Sequence, residues 1–296
     1  MGFPIEKAKC KEKACKLIND FFKDENEIPK NIEELINFSF WDIKDKDEYG
    51  NGKAAPDADR TKLAYAIDYL LYENENLPDF KIYGYAGSEV STYSGETLNT
   101  FNTLFSSTGR GRTYLAEKWG KAEFEKEVLN GFYNTYQKIG NLTLLPCKTI
   151  GGGSINTLKG VSNEINDYLY PFMKNLREAY KQKKSLTDKN MLQDLIKKDN
   201  RTFVEELLIL MQVNHFFFEE VDSFDKFVDK FMLNDWEKLE LKKYLRYSDF
   251  FKNEESEFKE NIEIAEDYIK KATEFINNRS KKIIDKLEKI LKNSKE

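Results

Sequence analysis

The chain has 296 residues, 40% hydrophobic and 33% charged, which is long enough to bury a core and too apolar for a disordered segment. Its formal net charge of -5 excludes a global basic field for nucleic acid and leaves only a local basic groove for that role. No apolar run approaches the ~20 residues that span a bilayer. The start, Met1 to Lys7, has no signal-peptide core and carries Glu6 where myristoylation needs Ser or Thr; a cytoplasmic protein with no membrane partner is predicted.

In chain order, residues 5–23 read as an amphipathic helix and 30–37 as a short helix after Pro29. Phe38-Ser39-Phe40-Trp41-Asp42-Ile43 reads as a strand or a buried extended segment. Residues 59–73 form a helix with Leu63, Ala66, Ile67 and Leu70 on one face, and Phe80–Tyr85 a short strand. Ser94 is placed as the N-cap of a helix running to Phe105. A loop with Gly109-Arg110-Gly111-Arg112 follows, then a helix over 113–138. All fifteen glycines lie at or before Gly160 and all six prolines at or before Pro171. Without these breakers the rest of the chain predicts long helices, near 162–183, 187–199, 201–219, 223–233, 235–246 and 254–293. In the last, Phe258, Ile262, Ala265, Ile269, Ala272 and Ile276 form a seam that Arg279 breaks; the seam packs on the chain's own helices, or pairs with a second copy or a partner helix.

The fold class is mainly α with a minor α+β part. A loop-rich, few-stranded portion over 1–160 holds the candidate site, and a helical portion over 161–296 shares its core.

Chemistry is sparse. Cys10, Cys15 and Cys147 form no disulfide framework, and with one histidine, His215, they do not make a zinc site. No metal and no cofactor is identified. Gly151-Gly152-Gly153-Ser154 lacks the Gly-Lys-Ser/Thr ending of a P-loop. His215, beside Phe216, Phe217 and Phe218, reads as a packing residue. Glu96, Asn99, Asn102 and Thr103 fall on one side of the expected helix, as a polar flank or a lining for a polar ligand. Arg110 and Arg112 between glycines offer bidentate grips for an anion, and Lys138, Lys148 and Lys159 extend that patch. Ile139-Gly140-Asn141-Leu142-Thr143-Leu144-Leu145-Pro146 reads as a turn entering a buried strand or helix start.

This last segment, with Asn156 downstream in Ile155-Asn156-Thr157-Leu158-Lys159-Gly160, resembles the second half of the HNH-type nuclease domains of modification-dependent restriction enzymes. The resemblance implies an upstream histidine as general base and a divalent metal on the scissile phosphate; the chain has no histidine before His215. The same two segments, with Ser94-Gly95-Glu96-Thr97-Leu98-Asn99-Thr100-Phe101-Asn102-Thr103 and Asn214-His215-Phe216-Phe217-Phe218, resemble an uncharacterised bacterial family, a domain of unknown function. That resemblance implies a bacterial cytosolic protein and no particular activity.

Three functions stay open. The leading one is an uncharacterised protein, of phage-defence or toxin-like type, whose polar or anionic ligand meets Glu96, Asn99, Asn102, Arg110, Arg112, Asn141, Thr143, Asn156 and Lys159. The second is a degenerate HNH-like nuclease acting on DNA or RNA with a divalent metal. The third is a protein–protein interaction module built on 254–293. Whether the chain is an enzyme is left undecided.

Overall fold

The computed structural model describes residues 3–23, 29–40, 62–72, 93–98, 131–132, 134–146, 169–183, 189–213, 221–243 and 255–294. The expected strand at 80–85, the loop at 109–112, the Gly151–Ser154 segment and His215 lie outside them.

Helix α1 (Phe3–Lys23) packs against α2 (Lys62–Tyr72). Ala14, Cys15 and Ile18 of α1 are buried, as are Leu63, Ala66, Ile67 and Leu70 of α2, the face that the sequence periodicity picks out. Between them the expected short helix is a single 3-10 turn, Glu33–Ile36. Its apolar positions Ile32, Leu35 and Phe38 recur every third residue, the repeat of a 3-10 helix, and Leu35 and Phe38 are buried.

Two strands pair antiparallel: β1 (Tyr93–Thr97) and β2 (Leu142–Pro146), with Glu96 opposite Thr143 and Thr97 opposite Leu142. This overturns the helix expected to start at Ser94. Ladder pairing along β2 satisfies the backbone groups that a helix would have satisfied internally, so tertiary context overrides local capping chemistry. The remainder of that expected helix, from Asn99, lies outside the described residues. The helix expected to reach residue 138 ends earlier, because residues 136–138 are turn and bend.

The Gly- and Pro-free part is helical where described: α3 (Leu169–Lys183), α4 (Lys189–Lys197), α5 (Phe203–Val213), α6 (Phe224–Lys230) and α7 (Glu255–Asn293). Helix α5 opens with a capping box, since Thr202 Oγ1 accepts from the Glu205 N–H at 3.3 Å and Glu205 Oε2 from the Thr202 N–H at 2.8 Å. Ser223 caps α6 by accepting from the Lys226 N–H. Helix α6 ends in a Schellman motif: Leu233 N–H donates to the Val228 carbonyl and Met232 N–H to that of Asp229. Met232 takes the left-handed position (φ 56°) usually given to glycine. The helix expected over 235–246 is replaced by a 3-10 turn, Trp236–Leu239, and residues 240–243 are not helical. Trp236 and Leu239, three apart, are both buried, which suits the tighter repeat.

The core is one apolar cluster that draws on both the loop-rich and the helical portion, from Ala14 to Leu291. Helix α7 runs through it. Ala265, Ile269, Ala272, Ile276, Ile283 and Leu287 are buried in the chain's own interior, so the seam is an internal packing surface. Arg279, expected to break it, continues it at 1% exposure. An aromatic run crosses the core from α2 to α5, with ring centroids 4.7 Å apart for Tyr72–Phe231, 4.5 Å for Phe231–Phe227, 6.3 Å for Phe227–Phe172 and 6.2 Å for Phe172–Phe203. Such pairs add to area burial when offset or tilted. Among the described residues no helix is long and apolar enough to cross a membrane.

Candidate functional site

The Ile139–Pro146 segment is where the described polar residues of interest converge. Ile139-Gly140-Asn141 forms a 3-10 turn that feeds directly into β2. Ile139 is buried in the core. Gly140 lies flat on α7: a Cβ there would fall 2.0 Å from the Ile276 carbonyl oxygen and 2.7 Å from the Ser280 nitrogen. Only glycine allows that approach. Its N–H donates to Ser280 Oγ at 3.0 Å.

Asn141 has no exposed surface. Its Nδ2 donates to the Tyr136 carbonyl at 2.8 Å, its N–H to that of Lys138, and its own carbonyl accepts from the Leu98 N–H at 2.7 Å. The side chain closes the turn and the backbone fixes the exit of β1. These are the bonds of a structural asparagine.

Behind the turn stands Arg279. Its Nη1 donates to the carbonyls of Gly140 (2.8 Å) and Leu142 (2.7 Å), Nε to that of Phe231 (3.0 Å), and Nη2 to the Tyr72 hydroxyl (3.0 Å). Four of the guanidinium's roughly five donor directions are thus used inside the fold. The Phe231 carbonyl is available because Phe231 is the C-cap of α6, and a helix C-terminus favours a cation. Among the described residues no carboxylate forms an ion pair with Arg279; backbone dipoles and the phenol oxygen stabilise the buried charge.

Tyr72 links this cation to β2, its hydroxyl lying 3.5 Å from Thr143 Oγ1. Burial pushes the Tyr72 hydroxyl above its ordinary range against the pull of Arg279, and the charge of Asp68 adds to the rise. Thr143 is 1% exposed and Asp68 3%. The cluster therefore acts as an internal polar brace for the strand pair, with neutral Tyr72 accepting from Arg279.

Lys138, expected in a surface anion patch, is buried instead. Its Nζ donates to Asn277 Oδ1 at 3.1 Å and Asn37 Oδ1 at 3.4 Å, which ties the first 3-10 turn to α7. Burial pulls its pKa below the ordinary lysine value.

Of the nine residues expected at the site, three fall among the described ones. Glu96 lies in β1 in register with Thr143, and Asn141 and Thr143 are buried beneath α7. Asn99, Asn102, Arg110, Arg112, Asn156 and Lys159 lie outside the described residues. Sequence reasoning missed Tyr72, Arg279 and Ser280. A signal existed for Arg279: it stands three residues after Ile276 and four before Ile283, in phase with the seam. Among the described residues no cluster of His, Cys, Asp and Glu could hold a metal ion, and β1 carries no histidine.

The span from the 3-10 turn at Ile36 to the last core turns of α7 also has a counterpart among known families, because a family model matches residues 36–283. The chain belongs to the family of unknown function DUF6994. No curated protein and no solved structure matches it. The DUF6994 span holds both strands, the Ile139–Asn141 turn, Tyr72, Arg279 and Ser280, so the whole brace lies inside the family's domain. The family match brings no assigned activity.

Proposed function

We propose that this DUF6994 protein binds a polar or anionic ligand through the two segments that leave the strand pair, with β1–β2 as a fixed platform. The supporting observation is where the expected ligand residues stand relative to the brace. Asn99, Asn102, Arg110 and Arg112 follow β1 directly, and Asn156 and Lys159 follow β2. Asn141 and Thr143 are spent on internal bonds. Binding groups on segments held by a rigid scaffold are a common arrangement. Glycines beside Arg110 and Arg112 suit close approach to an anion, and planar guanidinium groups suit phosphate or carboxylate. Roles in phage defence or as a toxin-like effector belong to the same reading, as does a cytoplasmic location.

The test is isothermal titration with inorganic phosphate, nucleoside triphosphates and a short single-stranded RNA, on the native chain and on Arg110→Ala/Arg112→Ala/Lys159→Ala. Binding of at least one probe, weakened tenfold or more in the variant, is expected. No binding of any probe, or equal binding by both proteins, overturns the reading.

The nuclease alternative draws on one observation. The strand carrying Gly140-Asn141 pairs with a strand a few dozen residues upstream, where the resemblance places the general base. That strand offers Glu96 rather than a histidine, and a carboxylate in that role needs a strongly raised pKa. Incubation of DNA and RNA with Mg²⁺ or Mn²⁺ decides it: cleavage that Glu96→Gln abolishes supports the nuclease, and intact nucleic acid under every condition removes it.

A further inference from the structure

We draw no further inference here: the strongest candidate, the buried knot in which Lys138 meets Asn37 and Asn277 next to Gln137, whose Oε1 has no hydrogen-bond partner, joins core elements to one another, and nothing in the structure shows what ligand would face it.

Discussion

Gly140 rests against the helix that carries Arg279, and the Arg279 guanidinium donates to the Gly140 carbonyl at 2.8 Å. The glycine and the arginine depend on each other. The missing Cβ lets the turn approach α7 closely enough for the guanidinium to reach the carbonyls on both sides of Asn141. Those bonds in turn satisfy carbonyl groups that would otherwise be buried without partners.

Gly140→Ala is expected to destabilise the protein by about 3 kcal/mol or more, because the added methyl meets helix backbone that cannot swing aside. Gly131→Ala provides the contrast. That glycine is helical and a Cβ there meets nothing within 4 Å, so the change should stabilise by roughly 0.5–1 kcal/mol through helix propensity and a less flexible unfolded chain. Urea unfolding of both variants checks this pair of opposite signs. A Gly140→Ala midpoint equal to that of the native chain would remove the close-approach explanation.

Arg279→Met keeps much of the side-chain volume but leaves three buried carbonyls and the Tyr72 hydroxyl without their donor. Each orphaned group costs about 1–3 kcal/mol, enough together to consume much of a typical ~5–15 kcal/mol stability. Arg279→Lys keeps the charge, yet one ammonium cannot span the positions that the planar fork reaches, so it should recover only part of the loss. Denaturant midpoints should rank native, Lys, then Met; a Met variant as stable as the native chain would show that the guanidinium bonds contribute little net free energy.

Stability should decline at high pH. Burial raises the hydroxyls of Tyr72 and Tyr180, and burial with the Glu240 hydrogen bond pushes Tyr170 up to about 12. Below pH 10, the ordinary tyrosine value, these groups are neutral in both states and add no pH dependence. Above it the unfolded chain ionises first, so folding stability falls as pH climbs toward the folded values. Lys138 acts with the opposite sign. Its folded pKa lies below 10.5, so stability rises as pH passes from the folded value up to that ordinary one. The tyrosine effect is therefore isolated by comparing native with Tyr180→Phe, which should lose less stability on going well above pH 10. Identical alkaline profiles for the two proteins would contradict the Tyr180 assignment.

Helices were legible where apolar spacing and the absence of breakers agreed. Helix α7 shows this best, since its seam and extent could be read from residues 254–293 alone. The strand at Tyr93–Thr97 was not legible, because its only ladder partner lies 45 or more residues downstream and its own Ser94-Gly95-Glu96-Thr97 mimics a helix start. The 3-10 turns were taken for helices because their apolar residues recur every three positions, which short windows do not separate from an α repeat. The Gly-Asn turn into a buried strand was read correctly at Ile139–Pro146. Its meaning was not, because the contacts that fix Gly140 and Asn141 come from Tyr136, Leu98, Arg279 and Ser280, and nothing local to the motif announces the last two.

The most direct measurement is the thermal melting of two variants, with and without inorganic phosphate, adenosine triphosphate or a short single-stranded RNA. Asn141→Ala removes a buried amide bonded to the Tyr136 carbonyl. It should melt several degrees lower, given about 1–3 kcal/mol for the lost bond and roughly 2–4 °C per kcal/mol at this chain length. Arg110→Ala/Arg112→Ala/Lys159→Ala should melt with the native chain but lose the rise in melting temperature that a bound probe gives the native protein. An Asn141→Ala variant that melts at the native temperature, or a triple variant that keeps the ligand-induced rise, would contradict the division between a structural turn and binding segments beyond it.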